Sequence, residues 1–151
     1  MKAFILDVDG VLTDGQMYYT VEGKIMKAFG ADDHEALGDI KDKIHIEFVT
    51  GDDRGFDISN KRVTDMGFKL TLIAGIKNRT NWIDGNWGLK NTIYMGDSFM
   101  DESLLAKVGY SICPHDAYKD LRRVVNYVCR HSGGHRAVAE ACLHIKEKFE
   151  L

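Results

Sequence analysis

The chain has 151 residues, enough to bury one substantial core without covalent staples, and its net charge of -3 with a pI near 6.0 gives no general attraction to nucleic acid or anionic lipid. Cys113, Cys129 and Cys142 are an odd set without a CxxC pair, which excludes a disulfide framework or a zinc knuckle and fits reduced thiols. No apolar run approaches the roughly 18 residues of a membrane span, and two aspartates interrupt the first one where a signal peptide needs an apolar core, so a cytoplasmic location is expected.

The apolar run Ala3-Phe4-Ile5-Leu6 leads into Asp7-Val8-Asp9-Gly10-Val11-Leu12-Thr13-Asp14-Gly15 and reads as a buried parallel strand ending in acids. Gln16–Thr20 and Lys24–Phe29 flank Val21-Glu22-Gly23 as a β-hairpin with glycine in its turn. A helix is predicted from about Asp33 to Asp42 with Asp32 or Asp33 as N-cap, and then a strand over Ile44–Val49 that ends at Thr50-Gly51. Next come a helix from about Phe56 to Met66, a strand over Phe68–Ile73, and the triplet Gly75-Ile76-Lys77. Trp82 and Ile83 suggest a short helix broken by Gly85, Asn86 and Gly88, before the strand Thr92–Met95 that ends at Gly96-Asp97-Ser98.

Beyond it, a helix is expected around Met100–Lys107, a strand at Tyr110–Cys113, a helix near Ala117–Val124 and a strand at Val125–Cys129. Gly133-Gly134 separates these from a final helix with Val138, Ala141, Cys142, Ile145 and Phe149 on one face. Strand and helix alternate throughout, which argues for an α/β fold with a doubly wound, Rossmann-like parallel sheet in one domain over 1–151. Ligands of such sheets bind beyond the carboxyl ends of the strands.

Those ends carry complementary chemistry. Asp7 and Asp9 are two apart, so they share a face of an extended segment, and like charges held that close call for a cation. Thr50-Gly51, Lys77, and Asp97 with Ser98 and Asp101 sit at the other strand ends. Carboxylate oxygens suit Mg2+, while a hydroxyl, an amide and an ammonium suit phosphoryl oxygens, so the set reads as a magnesium-dependent phosphoryl-transfer site. No GxxxxGK[ST] or GxGxxG fingerprint occurs, which removes support for a Walker-type nucleotide site or dinucleotide redox chemistry.

DVDGVLTDG, the TG at Thr50-Gly51, Lys77 and GDSFMD from Gly96 to Asp101 resemble the ordered motifs of the haloacid dehalogenase superfamily of phosphatases. The hairpin ending in Lys27-Ala28-Phe29, Gly75-Ile76-Lys77 and the Gly-Gly-x-x-Ala-Val segment at 133–138 are similar to its capless branch, which contains octulosonate 8-phosphate and nonulosonate 9-phosphate phosphatases. That resemblance implies Asp7 as nucleophile and Asp9 as general acid and base. It also implies a magnesium site of Asp7, Asp97 and the Asp9 backbone carbonyl, with phosphate held by Thr50, Gly51 and Lys77. Ser98 and Asp101 would stand behind these groups, Asp101 orienting Lys77 or a metal-bound water.

Within that superfamily, the resemblance implies from the second aspartate and the lack of a cap segment a phosphate hydrolysis rather than dehalogenation or mutase transfer, and the branch implies a sugar-acid phosphate as substrate. The resemblance further implies a homotetramer built on the hairpin from about Gln16 to Phe29, with Met17, Tyr18, Tyr19, Ile25 and Phe29 as interface material. Asp52 stands where octulosonate phosphatases usually carry arginine, a hint toward a nonulosonate substrate, and Arg136 is a candidate to meet a substrate carboxylate. The readings weighed against an enzyme are a phospho-receiver-like switch, which also uses clustered aspartates, and a catalytically weak assembly subunit, suggested by Ser98 and the acidic run Asp32-Asp33-His34-Glu35.

Overall fold

The computed structural model describes residues 1–151. A six-stranded, wholly parallel sheet has the order β5-β4-β1-β6-β7-β8, formed by β1 (Ala3–Asp7), β4 (His45–Thr50), β5 (Lys69–Leu72), β6 (Thr92–Met95), β7 (Tyr110–Cys113) and β8 (Tyr127–Val128). Central β1 is buried and apolar from Ala3 to Leu6, as a strand covered on both faces must be. It pairs with β4 in the register Ala3↔His45 to Asp7↔Val49 and with β6 from Ala3↔Thr92 to Leu6↔Met95. The tips of β1, β4 and β6 therefore end side by side, and the order reverses at β1.

Alternation along β1 sends Phe4 and Leu6 into the larger apolar layer, with Phe48, Leu37 and Ile145, beneath α1 (Asp32–Ile40), α2 (Phe56–Asp65) and α5 (Ala137–Lys148). Ala3 and Ile5 enter a smaller layer with Val49, Ile83, Tyr94 and Leu104, beneath α3 (Ile76–Trp87) and α4 (Glu102–Leu105). No helix is long and apolar enough to cross a membrane.

The hairpin is shorter than its hydrophobic pattern suggests, β2 being Tyr18–Thr20 and β3 Gly23–Met26. Phe29 turns inward from it, bridging Thr13 and packing against the larger core, so it is not free interface material; Met17, Tyr18, Tyr19 and Ile25 are exposed. Three further expectations are corrected. Helix α3 runs unbroken through Gly85 to Trp87 and stops only at Gly88, because one glycine costs a helix only about 1 kcal/mol and Ile83 is fully buried beneath it. Only a 3-10 turn at Leu121–Arg123 occupies the expected helix over 117–124, since Leu121 alone there makes a deep core contact. Neither Asp32 nor Asp33 caps α1, whose N-cap is Ala31.

Asp33 caps a different helix. Its fully buried carboxylate accepts the Ala139 N–H, 2.9 Å away in the first turn of α5, where Arg136 holds the N-cap position at φ 77° without a side-chain bond.

Candidate active site

Asp7 closes β1, and its two oxygens have different partners. Oδ1 accepts the Val8 N–H at 2.8 Å, and Oδ2 accepts from Arg79 Nη1 at 3.0 Å. Arg79 lies in the first turns of α3 on the face of Ile76 and Ile83, with its side chain 8% exposed. The same Nη1 donates to the Tyr94 hydroxyl at 2.7 Å, and that hydroxyl donates to Asp101 Oδ1 at 2.9 Å. Asp101 Oδ2 accepts the Ser98 N–H while Ser98 Oγ accepts from Met100, so Ser98 and Asp101 brace the turn after β6.

Carboxylate oxygens of Asp7, Asp97 and Asp101 lie within 4.8 Å of one another. Burial pushes the Asp97 carboxyl up to about 8, helped by the like charges of Asp7, Asp101 and Asp116, and pushes Asp7 up to about 6 against the pull of Arg79. Asp101 is also raised, chiefly by burial. Gly10, at φ 82°, lies so close to the Asp97 carboxylate that any Cβ would overlap it. Hard oxygen donors and carboxylates crowded enough to hold their protons unusually high, with the bare Cα of Gly10 leaving room for the Asp97 carboxylate, fit a small divalent cation between Asp7 and Asp97.

Thr50 is buried at the tip of β4, where its Oγ1 accepts the Asp52 N–H at 3.1 Å. A Cβ on Gly51 would come within 3.8 Å of Arg79 Nη2, which places this tip beside the guanidinium. A cavity of about 220 Å3 opens over Asp7, lined also by Gly75, Ile76, Arg79, Ser98, Met100 and Asp101. Beside the turn after β6, the exposed Phe99 and Tyr118 stack edge to face, 5.8 Å apart, and the Tyr118 N–H donates to the Asp97 carbonyl. They offer an apolar surface to a carbon skeleton.

Asp7, Asp97, Asp101, Ser98, Thr50 and Gly51 thus gather at one crevice, but two expected residues do not. Lys77 is exposed on α3 and makes no hydrogen bond or ion pair. Residues two apart on a helix point nearly opposite ways, so only one of Lys77 and Arg79 can face the crevice, and Arg79 does. Arg136 pairs instead with Asp32 and lines a separate cavity of about 330 Å3 with Gly30, Ala31, Gly134 and His135. Asp52 faces two lysines of the hairpin, Lys24 and Lys27, and Lys27 Nζ also lies 2.7 Å from Asp9 Oδ1.

The contacts of Arg79 with Asp7 and of Lys27 with Asp9 are the features of this crevice that the motifs did not reveal. Their signals were an arginine at i+3 from Ile76 and i-4 from Ile83, within an apolar stripe, and a lysine two before Phe29, on the same side of an extended segment.

No family model matches the sequence. The chain is 31% identical over 145 residues to 3-deoxy-D-manno-octulosonate 8-phosphate phosphatase KdsC of Haemophilus influenzae, covering 93% of this chain and 79% of that protein. It is also 31% identical over 148 residues to KdsC of Escherichia coli K12, covering 94% of this chain and 77% of the other. Among solved structures, the cobalt-bound Haemophilus influenzae phosphatase superposes with a TM-score of 0.86 at 29% identity, over 97% of this chain and 88% of that one. The Moraxella catarrhalis phosphatase in complex with magnesium, phosphate and a KDO molecule gives 0.86 at 28% identity, over 97% and 86%. With a shared fold and this identity across nearly its whole length, the chain belongs to the 3-deoxy-D-manno-octulosonate 8-phosphate phosphatase family, phosphoric monoester hydrolases of the haloacid dehalogenase superfamily.

Proposed function

We propose that this protein is a magnesium-dependent phosphatase of a sugar-acid phosphate, of the octulosonate 8-phosphate or nonulosonate 9-phosphate type, working through an aspartyl-phosphate on Asp7. The observation that carries the reading is Asp7 itself, a strand-tip carboxylate oriented by Val8 and Arg79, lining a small cavity and lying within 4.8 Å of the Asp97 and Asp101 carboxylates. Asp7, Asp97 and the Asp9 carbonyl would hold Mg2+, which when bound would supply positive charge to the crowded carboxylates and the phosphate.

An Asp7 oxygen attacks phosphorus, the ester P–O bond breaks, and its electron pair leaves on the sugar oxygen, which takes a proton from Asp9. Water then attacks the acyl phosphate, giving its proton to Asp9 as the bond to Asp7 breaks and phosphate leaves. Throughout, Arg79, Thr50 and the Gly51 amide stabilise charge gathering on the phosphoryl oxygens. Arg79 takes the part that sequence reading gave to Lys77. Its bonds to Tyr94 and Asp7 fix its fork before substrate arrives. Asp52 is occupied by Lys24 and Lys27 rather than offered to the sugar, and the exposed Met17, Tyr18, Tyr19 and Ile25 of the hairpin support a homotetramer, which a solution mass measurement checks.

Phosphate release from octulosonate 8-phosphate and nonulosonate 9-phosphate with Mg2+ tests the reading. Turnover of at least one, lost in Asp7→Asn and on chelation, is expected; turnover that survives both refutes the mechanism.

A further inference from the structure

Lys27 is a lysine with no exposed side-chain surface, and it takes no part in the reaction steps above. It leaves the hairpin just after β3 and ends among three acceptors from three parts of the chain. Nζ lies 2.7 Å from Asp9 Oδ1 and 2.8 Å from Asp52 Oδ2 as ion pairs, and it donates an aligned hydrogen bond to Ser59 Oγ of α2 at 2.8 Å. Asp9 Oδ1 is buried and has no aligned hydrogen-bond donor of its own, so this ammonium is the one group that fixes its place.

The surroundings are shaped to hold the lysine. Ser59 is fully buried, and its hydroxyl aims the ammonium. Asp52, with its carboxyl held below the usual range despite burial by the bonds from Lys24 and Lys27, balances the charge. The stems of both lysines cross the bare Cα of Gly55, where a Cβ would come within 2.8 Å of Lys24 Cδ and 2.9 Å of Lys27 Cε. An ammonium stripped of water needs about this complement of acceptors, and a buried cation so satisfied has one geometry rather than many.

From this geometry we infer that Lys27 is a positioning residue for Asp9, latching the hairpin to the catalytic loop and fixing the carboxylate where it meets the leaving oxygen. The inference rests on the phosphatase reading. Asp52, Ser59 and Gly55 serve the latch, and Lys24 completes it from the hairpin side. Losing the ammonium leaves Asp7 and the phosphate-binding groups in place but lets Asp9 swing among rotamers.

The test exploits leaving groups. The parameter kcat/KM reports events through the first bond cleavage, which needs a proton from Asp9 when the product is an alkoxide and not when it is p-nitrophenolate. Wild type, Lys27→Met, Lys27→Arg and Ser59→Ala are assayed with Mg2+ on a sugar-acid phosphate and on p-nitrophenyl phosphate, with folding checked by thermal unfolding. Lys27→Met is expected to lose about a hundredfold in kcat/KM on the sugar phosphate and less than about fivefold on the aryl ester. Lys27→Arg recovers part of the loss, and Ser59→Ala, which keeps the charge but loosens its aim, shows the same ester dependence in smaller measure. Equal losses on both esters, or no loss on either, overturn the role of Lys27 while the phosphatase reading stands. A wild-type protein inert on both esters overturns that reading and the inference with it.

Discussion

Asp97 makes the cation-free protein lose stability as pH rises, by an amount the site geometry sets. Its carboxyl is raised to about 8 by burial and by Asp7, Asp101 and Asp116, against an ordinary value near 4 in the unfolded chain. A folded state that holds the proton to higher pH than the unfolded state is favoured below that window and loses its advantage as pH climbs through it. His144 works the other way, because burial lowers its value and its contribution grows until the unfolded imidazole has deprotonated near 6.5. Between pH 6.5 and 8, Asp97 therefore dominates. That span is about 1.5 pH units at roughly 1.4 kcal/mol each, or on the order of 2 kcal/mol.

For a domain of this size the loss lowers Tm by roughly 4–8 °C. Thermal unfolding followed by circular dichroism in EDTA at pH 6.5, 7, 7.5 and 8 measures it. The fall is expected in wild type, absent in Asp97→Asn, and suppressed by saturating Mg2+, whose stabilisation is larger at pH 8 than at 6.5. A Tm that is flat or rising in EDTA, or an Asp97→Asn protein with the wild-type slope, refutes the reasoning.

Arg79→Met is expected to lower kcat/KM by about 10²–10³, whereas Lys77→Ala stays within about twofold; steady-state assays on one sugar phosphate compare them. Arg136 holds a left-handed backbone that glycine tolerates and alanine does not, so Arg136→Gly is expected to be more stable than Arg136→Ala by about 1 kcal/mol in urea unfolding. Asp33→Ala removes the cap on α5 and is expected to cost about 1–2 kcal/mol, with amide exchange accelerated first at Ala139.

The sheet was legible because β1, β4, β6 and β7 are short apolar runs bounded by turn residues, and a strand covered on both faces must look so. The acids were legible because Asp7 and Asp97 follow such runs directly. Lys77 and Arg79 show where reading the chain failed: both are cations after Gly75, and only the start of α3 decides which one turns inward. Lys27 was legible only as part of the hairpin's closing Lys27-Ala28-Phe29, since nothing local announces that Asp9, Asp52 and Ser59 will converge on it from 18, 25 and 32 positions away. Arg136 and Asp52 were read as substrate contacts by their place in motifs, but acidic neighbours hold them elsewhere or cationic ones occupy them. Asp33 looked like a cap for its own helix, a local rule overridden by a helix 106 residues further on.

That last bond bears on how the chain is made. Central β1 is flanked only once β4 and β6 are in place, and the carboxylate of Asp33 finds its donor later still in the chain, in the turn at Ala139. A chain lacking α5 deprives the Asp33 carboxylate of its donor and bares the apolar face of α1. Docking of α5 is thus the step that closes this layer of the fold, and truncation before it is expected to leave an open, adhesive chain rather than a smaller working one.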